Sequence, residues 1–398
     1  MNSSFLEEGT VNHRNVSIDA LLDNTFQTPS KEEFKELEEN CRKRREIRSN
    51  LTMSQGKRYN NGKMGRFNID NDIIPYDQTR VKLKTPINGI DYINASWIQR
   101  VKESGIYDDV YEFLPSEKIN FLLTQDPTPD TKQHFYQMMY EQQVDIIVHV
   151  GSDKNLPKWN RMKFGNVSKK MIKSVQLDEN LIRENFDIFV KHKKSTINHP
   201  ITAYHYTAWP TTDDFEDTDS KNFLTMMSLI KADIGKPTKE FTIASHDSSG
   251  GVEGASTFII LFQMLQDLNT KLNVRKMELG KTPRATEAEY VNIFEKVNEV
   301  RKQRAHMVSK FSNYKFLLTC LAHYAKNKES FDEIQTKFEK STNKMQLSPS
   351  ISDESKNLMN DESEYVYSEE SEYVYSDEIE DPYYDDNNTS YKDDIYVN

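Results

Sequence analysis

Residues 241–258 read FTIASHDSSGGVEGASTF. FTIAS (241–245) is a short run of apolar and β-branched residues, which suits a buried strand. SSGGVEG (248–254) follows, and its glycines let successive backbone N–H groups turn inward. Residues 255–268 then carry apolar side chains at helical spacing. A buried strand, a glycine turn and a helix N-terminus in that order make a nest suited to an anion. A tight strand-to-helix connection with no ligand has the same pattern, so both readings stand at this point.

On either side, IVHV within VDIIVHV (144–150) has the same character of a buried strand, and residues 286–304 and 311–326 have helical apolar spacing. Strands interleaved with helices place the chain in the α/β (α+β) class, with a central twisted mixed sheet flanked by helices. Ser30 opens a charged helix with a capping box, its hydroxyl accepting from the backbone of Glu33 while the Glu33 carboxylate reaches back. Phe34, Leu37 and Cys41 supply that helix's packing stripe. The expected organisation is a flexible segment over 1–29, a folded domain over 30–327, a helical extension or linker over 328–349, and a disordered acidic tail over 350–398.

Charge is spread unevenly. Of the chain's 52 Lys+Arg and 63 Asp+Glu, 2 and 16 respectively lie in residues 353–398, leaving 50 and 47 in the rest. The bulk is thus mildly basic and the tail strongly acidic. Within the tail SEYVYSEE (363–370) is followed by the near-repeat SEYVYSDE (371–378), and eight of the 20 tyrosines stand after residue 363 among carboxylates. Self-repulsion and scarce aliphatic area imply disorder. Such a tail either solubilises or, once phosphorylated at Tyr365, Tyr367, Tyr373, Tyr375 or Tyr396, docks SH2-type adaptors.

Two cysteines, Cys41 and Cys320, give neither a disulfide framework nor a zinc site, which implies a reducing compartment. The first residues lack the apolar core of a signal peptide, and no run approaches the ~18 apolar residues of a membrane span. The expectation is a cytoplasmic protein with no cofactor, no metal, no membrane contact and no nucleic acid partner.

Several stretches resemble the protein tyrosine phosphatase family, in order and over residues 30–327. GRF…NDIIPYDQTRVKL (65–83) with DYINASWI (91–98) is similar to its phosphotyrosine-recognition loop and the next strand. LLTQDPTPDTKQHFYQMMYEQQVDIIVHV (122–150), YHYTAWP (204–210) and VRKQRAHMVSKFSNYKFLLTCLAHY (300–324) resemble three further elements, and residues 241–258 its phosphate-binding loop. The resemblance implies a vestigial pocket at Phe67, His246, Ser248, Ser249, Gly250 and Gly251.

The same resemblance implies that the chemistry is gone. The family's nucleophilic cysteine follows the histidine of the loop, where this chain has Asp247, a weaker nucleophile that repels a phosphate dianion. Its clamping arginine falls on Gly254 if one residue is inserted near Gly251, or on Glu253 without a gap. Its general acid falls on Thr211, although Asp213 and Asp214 are near, and its water-positioning glutamines on Ser309 and Asn313. The glycine expected after Gln125 is Asp126.

The function that follows is that of an inactive tyrosine phosphatase-like protein, a pseudophosphatase binding a signalling protein or kinase. Among such proteins the chain resembles those of polydnaviruses (bracoviruses), which implies interference with immune-cell signalling in a host cytoplasm. A nematode-type pseudophosphatase that sequesters a kinase, a phosphotyrosine-peptide reader, and a hydrolase using Asp247 are the alternatives.

Overall fold

The computed structural model describes residues 14–48, 54–58, 67–99, 119–152, 161–192, 195–235, 239–278 and 290–346. The first half contains β1 (Val16–Ser17), α1 (Ile18–Asp23), α2 (Lys31–Arg48), α3 (Ser54–Arg58), β2 (Arg80–Ile87), β3 (Ile90–Ile98), β4 (Ile119–Gln125), α4 (Lys132–Glu141) and β5 (Ile146–Val150). The second contains β6 (Arg161–Phe164), β7 (Val167–Asp178), β8 (Leu181–His192), β9 (Ser195–Tyr206), α5 (Asp217–Ile234), β10 (Phe241–Asp247), α6 (Gly254–Glu278), β11 (Tyr290–Val291), α7 (Ile293–Val300) and α8 (Phe311–Gln346).

Nine strands form one mixed sheet in the order β2-β3-β4-β10-β5-β9-β8-β7-β6. The central strands β4, β10, β5 and β9 run parallel, and antiparallel strands flank them on both sides. Parallel strands need cover on both faces, and alternation along each strand supplies it. Ile243, Ile146, Val148 and Tyr204 join Phe258, Phe262, Leu321 and Phe223 in one core on the side of α5, α6 and α8. Ala244, Ile147 and Ala203 join Phe135, Met138 and Met139 of α4 in the other. β10 lies between β4 and β5, so its C-terminal end opens at the middle of the sheet.

Three expectations are corrected. Residues 14–29 are not a flexible lead-in: β1 pairs with β11, and Ile18 and Leu21 of α1 are buried in the larger core. Within 286–304 the described residues 290–304 form a helix at Ile293–Val300 alone, because Tyr290 and Val291 are recruited as a strand and the Asn292 side chain caps the helix through Glu295 N at 2.9 Å. The capping box at Ser30 is half formed: Ser30 Oγ accepts from Glu33 N at 3.1 Å, but the Glu33 carboxylate accepts from the Tyr314 hydroxyl instead. Leu37 and Cys41 are buried, and Phe34 packs on Phe311 and Tyr314. Helix α8 continues past a non-helical Asn327 to Gln346. The tail after it, including Tyr365, Tyr367, Tyr373, Tyr375 and Tyr396, lies outside the described residues.

Candidate functional site

The loop after β10 closes around the side chain of that strand's last residue, Asp247. Asp247 Oδ1 accepts from the amides of Ser249 (2.9 Å) and Gly251 (2.7 Å), and Oδ2 from those of Glu253 (3.2 Å) and Ala255 (3.0 Å). These are the inward-turned N–H groups of the nest and the first turn of α6. Gly250 and Gly251 make the turn with φ of 75° and 82°. A Cβ on Gly251 would stand 2.6 Å from the Thr124 carbonyl oxygen, so backbone packs on backbone there. Asp247 is buried, and burial pushes its carboxyl up to about 6, aided by the Asp126 charge and opposed by the amides of Ala255, Gly251 and Ser249. The nest thus holds an anion, and that anion belongs to the protein.

No guanidinium faces the loop from the positions that the family resemblance indicates. Gly254 starts α6, and a Cβ there would meet Val150 Cγ1 at 2.5 Å and Trp209 Cδ2 at 3.1 Å, so a larger side chain has no room without displacement. Glu253 is paired with Lys310 at 3.1 Å. The arginine that does approach is Arg304, fully buried behind the loop, donating to Gly250 O (2.7 Å), Asn94 Oδ1 (2.8 Å) and Ser96 Oγ (3.1 Å). Burial lowers it to about 10, which leaves it charged at neutral pH. Its donors brace the loop. Sequence reasoning missed it, because Arg304 stands in the polar run VRKQRAH (300–306), where nothing marks one residue as buried.

The remaining positions are structural in their contacts. Thr211 is exposed, after a buried Trp209 wedged among Phe215, Phe223 and Phe316. Asp213 accepts from Ser312 Oγ at 3.3 Å. Ser309 donates its amide to Val252 O at 3.0 Å, and Asn313 is buried. Val308, a β-branched residue at φ 55°, is held by a bond from its amide to Ser256 Oγ (2.9 Å) and by Arg301 on its carbonyl (2.8 Å). Phe67 packs edge-on against Tyr92 and His134 and is partly covered. Ser248 is exposed, Ser249 half-buried, and Gly250 and Gly251 buried.

His246 points to the opposite face of the sheet, against Phe135 of α4. Its Nδ1 lies 2.6 Å from Asp126 Oδ1. Burial pulls His246 down to about 4 against the pull of that carboxylate. Burial alone would raise Asp126, but the imidazoles of His149 and His246 hold it well below the usual carboxylate range. His246 is therefore not part of the nest, a correction to its placement in the vestigial pocket: strand alternation sends consecutive side chains to opposite faces.

A mixed sheet whose central strand runs into a glycine nest and a helix defines an α/β domain built around an anion cradle. Residues 65–323 match the family Protein-tyrosine phosphatase, and the chain belongs to that family. It is 26% identical over 262 residues to receptor-type tyrosine-protein phosphatase eta of Mus musculus, covering 63% of this chain and 18% of that protein. To tyrosine-protein phosphatase non-receptor type 2 of Mus musculus it is 29% identical over 246 residues, covering 56% and 55%. To tyrosine-protein phosphatase 99A of Drosophila melanogaster it is 28% identical over 265 residues, covering 62% and 17%. The chain thus spans about half of one relative's length and under a fifth of the other two. Among the described residues no helix is long and apolar enough to cross a membrane.

Proposed function

We propose that this chain is a pseudophosphatase, a binding or decoy protein in phosphotyrosine signalling that hydrolyses no phosphate ester. The observation that carries the reading is the Asp247 carboxylate, bonded by four backbone amides of its own loop. A substrate phosphate entering the nest would displace or face that carboxylate, with like charge against it. No thiolate attacks, no guanidinium at position 253 or 254 stabilises developing charge, and Thr211 has no acidic proton for a phenolate leaving group. The partner is a signalling protein or kinase met on the old substrate face or through the acidic tail. With the resemblance to polydnavirus proteins, the setting is a host cytoplasm and its immune-cell signalling.

The test incubates the purified chain with an aryl phosphate and with phosphotyrosine peptides, reading turnover and binding together. Neither is expected above a denatured control. Turnover that Asp247→Ala abolishes would overturn the proposal. Tight phosphopeptide binding without turnover would instead favour a phosphotyrosine reader.

A further inference from the structure

Three histidines stand abreast on the sheet face away from Asp247. The register pairs His246 of β10 with His149 of β5, and His149 with His205 of β9. Strand alternation places all three on the α4 side. At one end of the row Asp126 lies 2.6 Å from His246 Nδ1 and 3.8 Å from His149 Nε2. At the other, His205 Nε2 is 3.3 Å from Glu184. One donor atom from each of Asp126, His149 and His246 lies within 4.8 Å of the others.

We propose that Asp126, His149 and His246 form a binding site for a divalent first-row transition ion of the zinc class. The observation that points to a ligand is His149. It is 7% exposed, its Nδ1 has no hydrogen-bond partner, and its Nε2 stops 3.8 Å short of Asp126, beyond hydrogen-bond length. A buried imidazole left so poorly matched is costly, and its cross-strand neighbours on this face are the rings of His246 and His205. A metal ion between Nε2 and the carboxylate gives Nε2 a partner at bonding distance in place of a 3.8 Å separation.

The geometry suits such an ion. Zinc bonds of about 2.0–2.1 Å in a tetrahedron separate ligand atoms by about 3.3 Å, and the separations of 2.6 and 3.8 Å stand on either side of that value. Rotating one partly exposed carboxylate, 28% accessible, closes the difference and gives an entry path. Two imidazoles and a carboxylate with no thiolate favour zinc and its neighbours over magnesium or calcium. The surroundings hold the ligands in place. The Asp126 amide donates to Asp247 O at 2.9 Å. Gly151 leaves room for the His149 ring, since a Cβ there would stand 2.9 Å from Cε1. The ligands lie at the carboxyl ends of three adjacent parallel strands, where open α/β sheets bind their ligands. The inference goes beyond the pseudophosphatase reading and does not rest on it.

The experiment titrates the full, tag-free, metal-stripped chain with Zn2+ by calorimetry and with Co2+ by visible absorption. One saturable equivalent with micromolar or tighter affinity is expected, with d–d bands of a four- or five-coordinate N/O site and a melting temperature that rises with Zn2+. His149→Leu and Asp126→Asn should each weaken binding more than about 100-fold, beyond the 10–100-fold usual for outer-shell partners, while the remote His323→Gln leaves it unchanged. His149→Leu removes an unmatched polar ring for a side chain of similar bulk, so it should fold, and its unfolding transition verifies this. Zinc-edge X-ray absorption of the wild-type chain needs no variant and should show two imidazoles. No saturable equivalent, affinity unchanged by His149→Leu, or a zinc shell without imidazole would each overturn the proposal and leave a bare His–Asp–His hydrogen-bond network.

Discussion

Two opposing effects act on the one carboxyl group of Asp247: burial favours its neutral form, and four amides favour its charged form. In Asp247→Asn the amide offers one acceptor and turns an N–H2 toward two of the four donors. With about 1–3 kcal/mol for each buried donor left unmatched, the loss should be about 2–6 kcal/mol, read from denaturant unfolding. The same pair of proteins reports the pH dependence. The folded-state value of about 6 lies above the ~3.9 of an unfolded aspartate. The folded chain therefore takes up this proton first on acidification, and between pH 6 and 4 this group's contribution rises as pH falls, opposite to an ion-paired carboxylate. The stability of wild type relative to Asp247→Asn should improve by roughly 2–3 kcal/mol from pH 7 to pH 4, at about 1.4 kcal/mol per unit. A slope of the other sign would show the amides outweighing burial.

The loop and the first turn of α6 are fixed from both sides, which limits how catalysis could be rebuilt. Asp247→Cys restores a thiol, but turnover should stay at background because no guanidinium replaces the missing clamp. Gly254→Arg should not rescue it. Its Cβ meets Val150 and Trp209, and overpacking there should remove about 1–3 kcal/mol, seen as a lower melting temperature without aryl phosphatase activity. Arg304→Met should loosen the loop from behind and cost about 3 kcal/mol or more, since the carbonyl of Gly250 and the Asn94 side chain lose their donor. How much of this was legible follows from where each signal resides. The strand, nest and helix of 241–258 are contiguous, so their residue types announce them directly. The self-filled nest was not legible, because it depends on how Asp247 folds back over the next eight residues. The cluster of Asp126, His149 and His246 was invisible for a topological reason: two members come from separate strands and the third from the residue after another, Asp126 and His246 being 120 residues apart. Segment 14–29 and the strand at Tyr290–Val291 were misread because two-residue strands and a six-residue helix carry too little periodicity to stand out.

Charge divides the molecule where its folding signals divide. The described apolar packing runs from Val16 to Phe338, whereas all of the surplus acid lies in residues 350–398. Removing 350–398 takes the formal net charge from −11 to +3, since 16 Asp+Glu and 2 Lys leave with it. Because that deletion removes none of this packing, the unfolding free energy of residues 1–349 should match the full chain within about 0.5 kcal/mol, the range of substitutions away from a core. Partner binding should respond quite differently. Treatment with a tyrosine kinase adds nearly two negative charges at each modified tyrosine, and SH2-domain binding should then appear in the full chain. It should be absent in 1–349 and in a chain carrying Phe at Tyr365, Tyr367, Tyr373, Tyr375 and Tyr396. A partner drawn to the unmodified tail through charge should weaken as salt shortens the Debye length, about 10 Å at 0.1 M and 3 Å at 1 M. Equal capture of kinase or adaptor by the full chain and by 1–349, before and after phosphorylation, would remove the tail from the mechanism and leave the face around Asp247 as the docking surface.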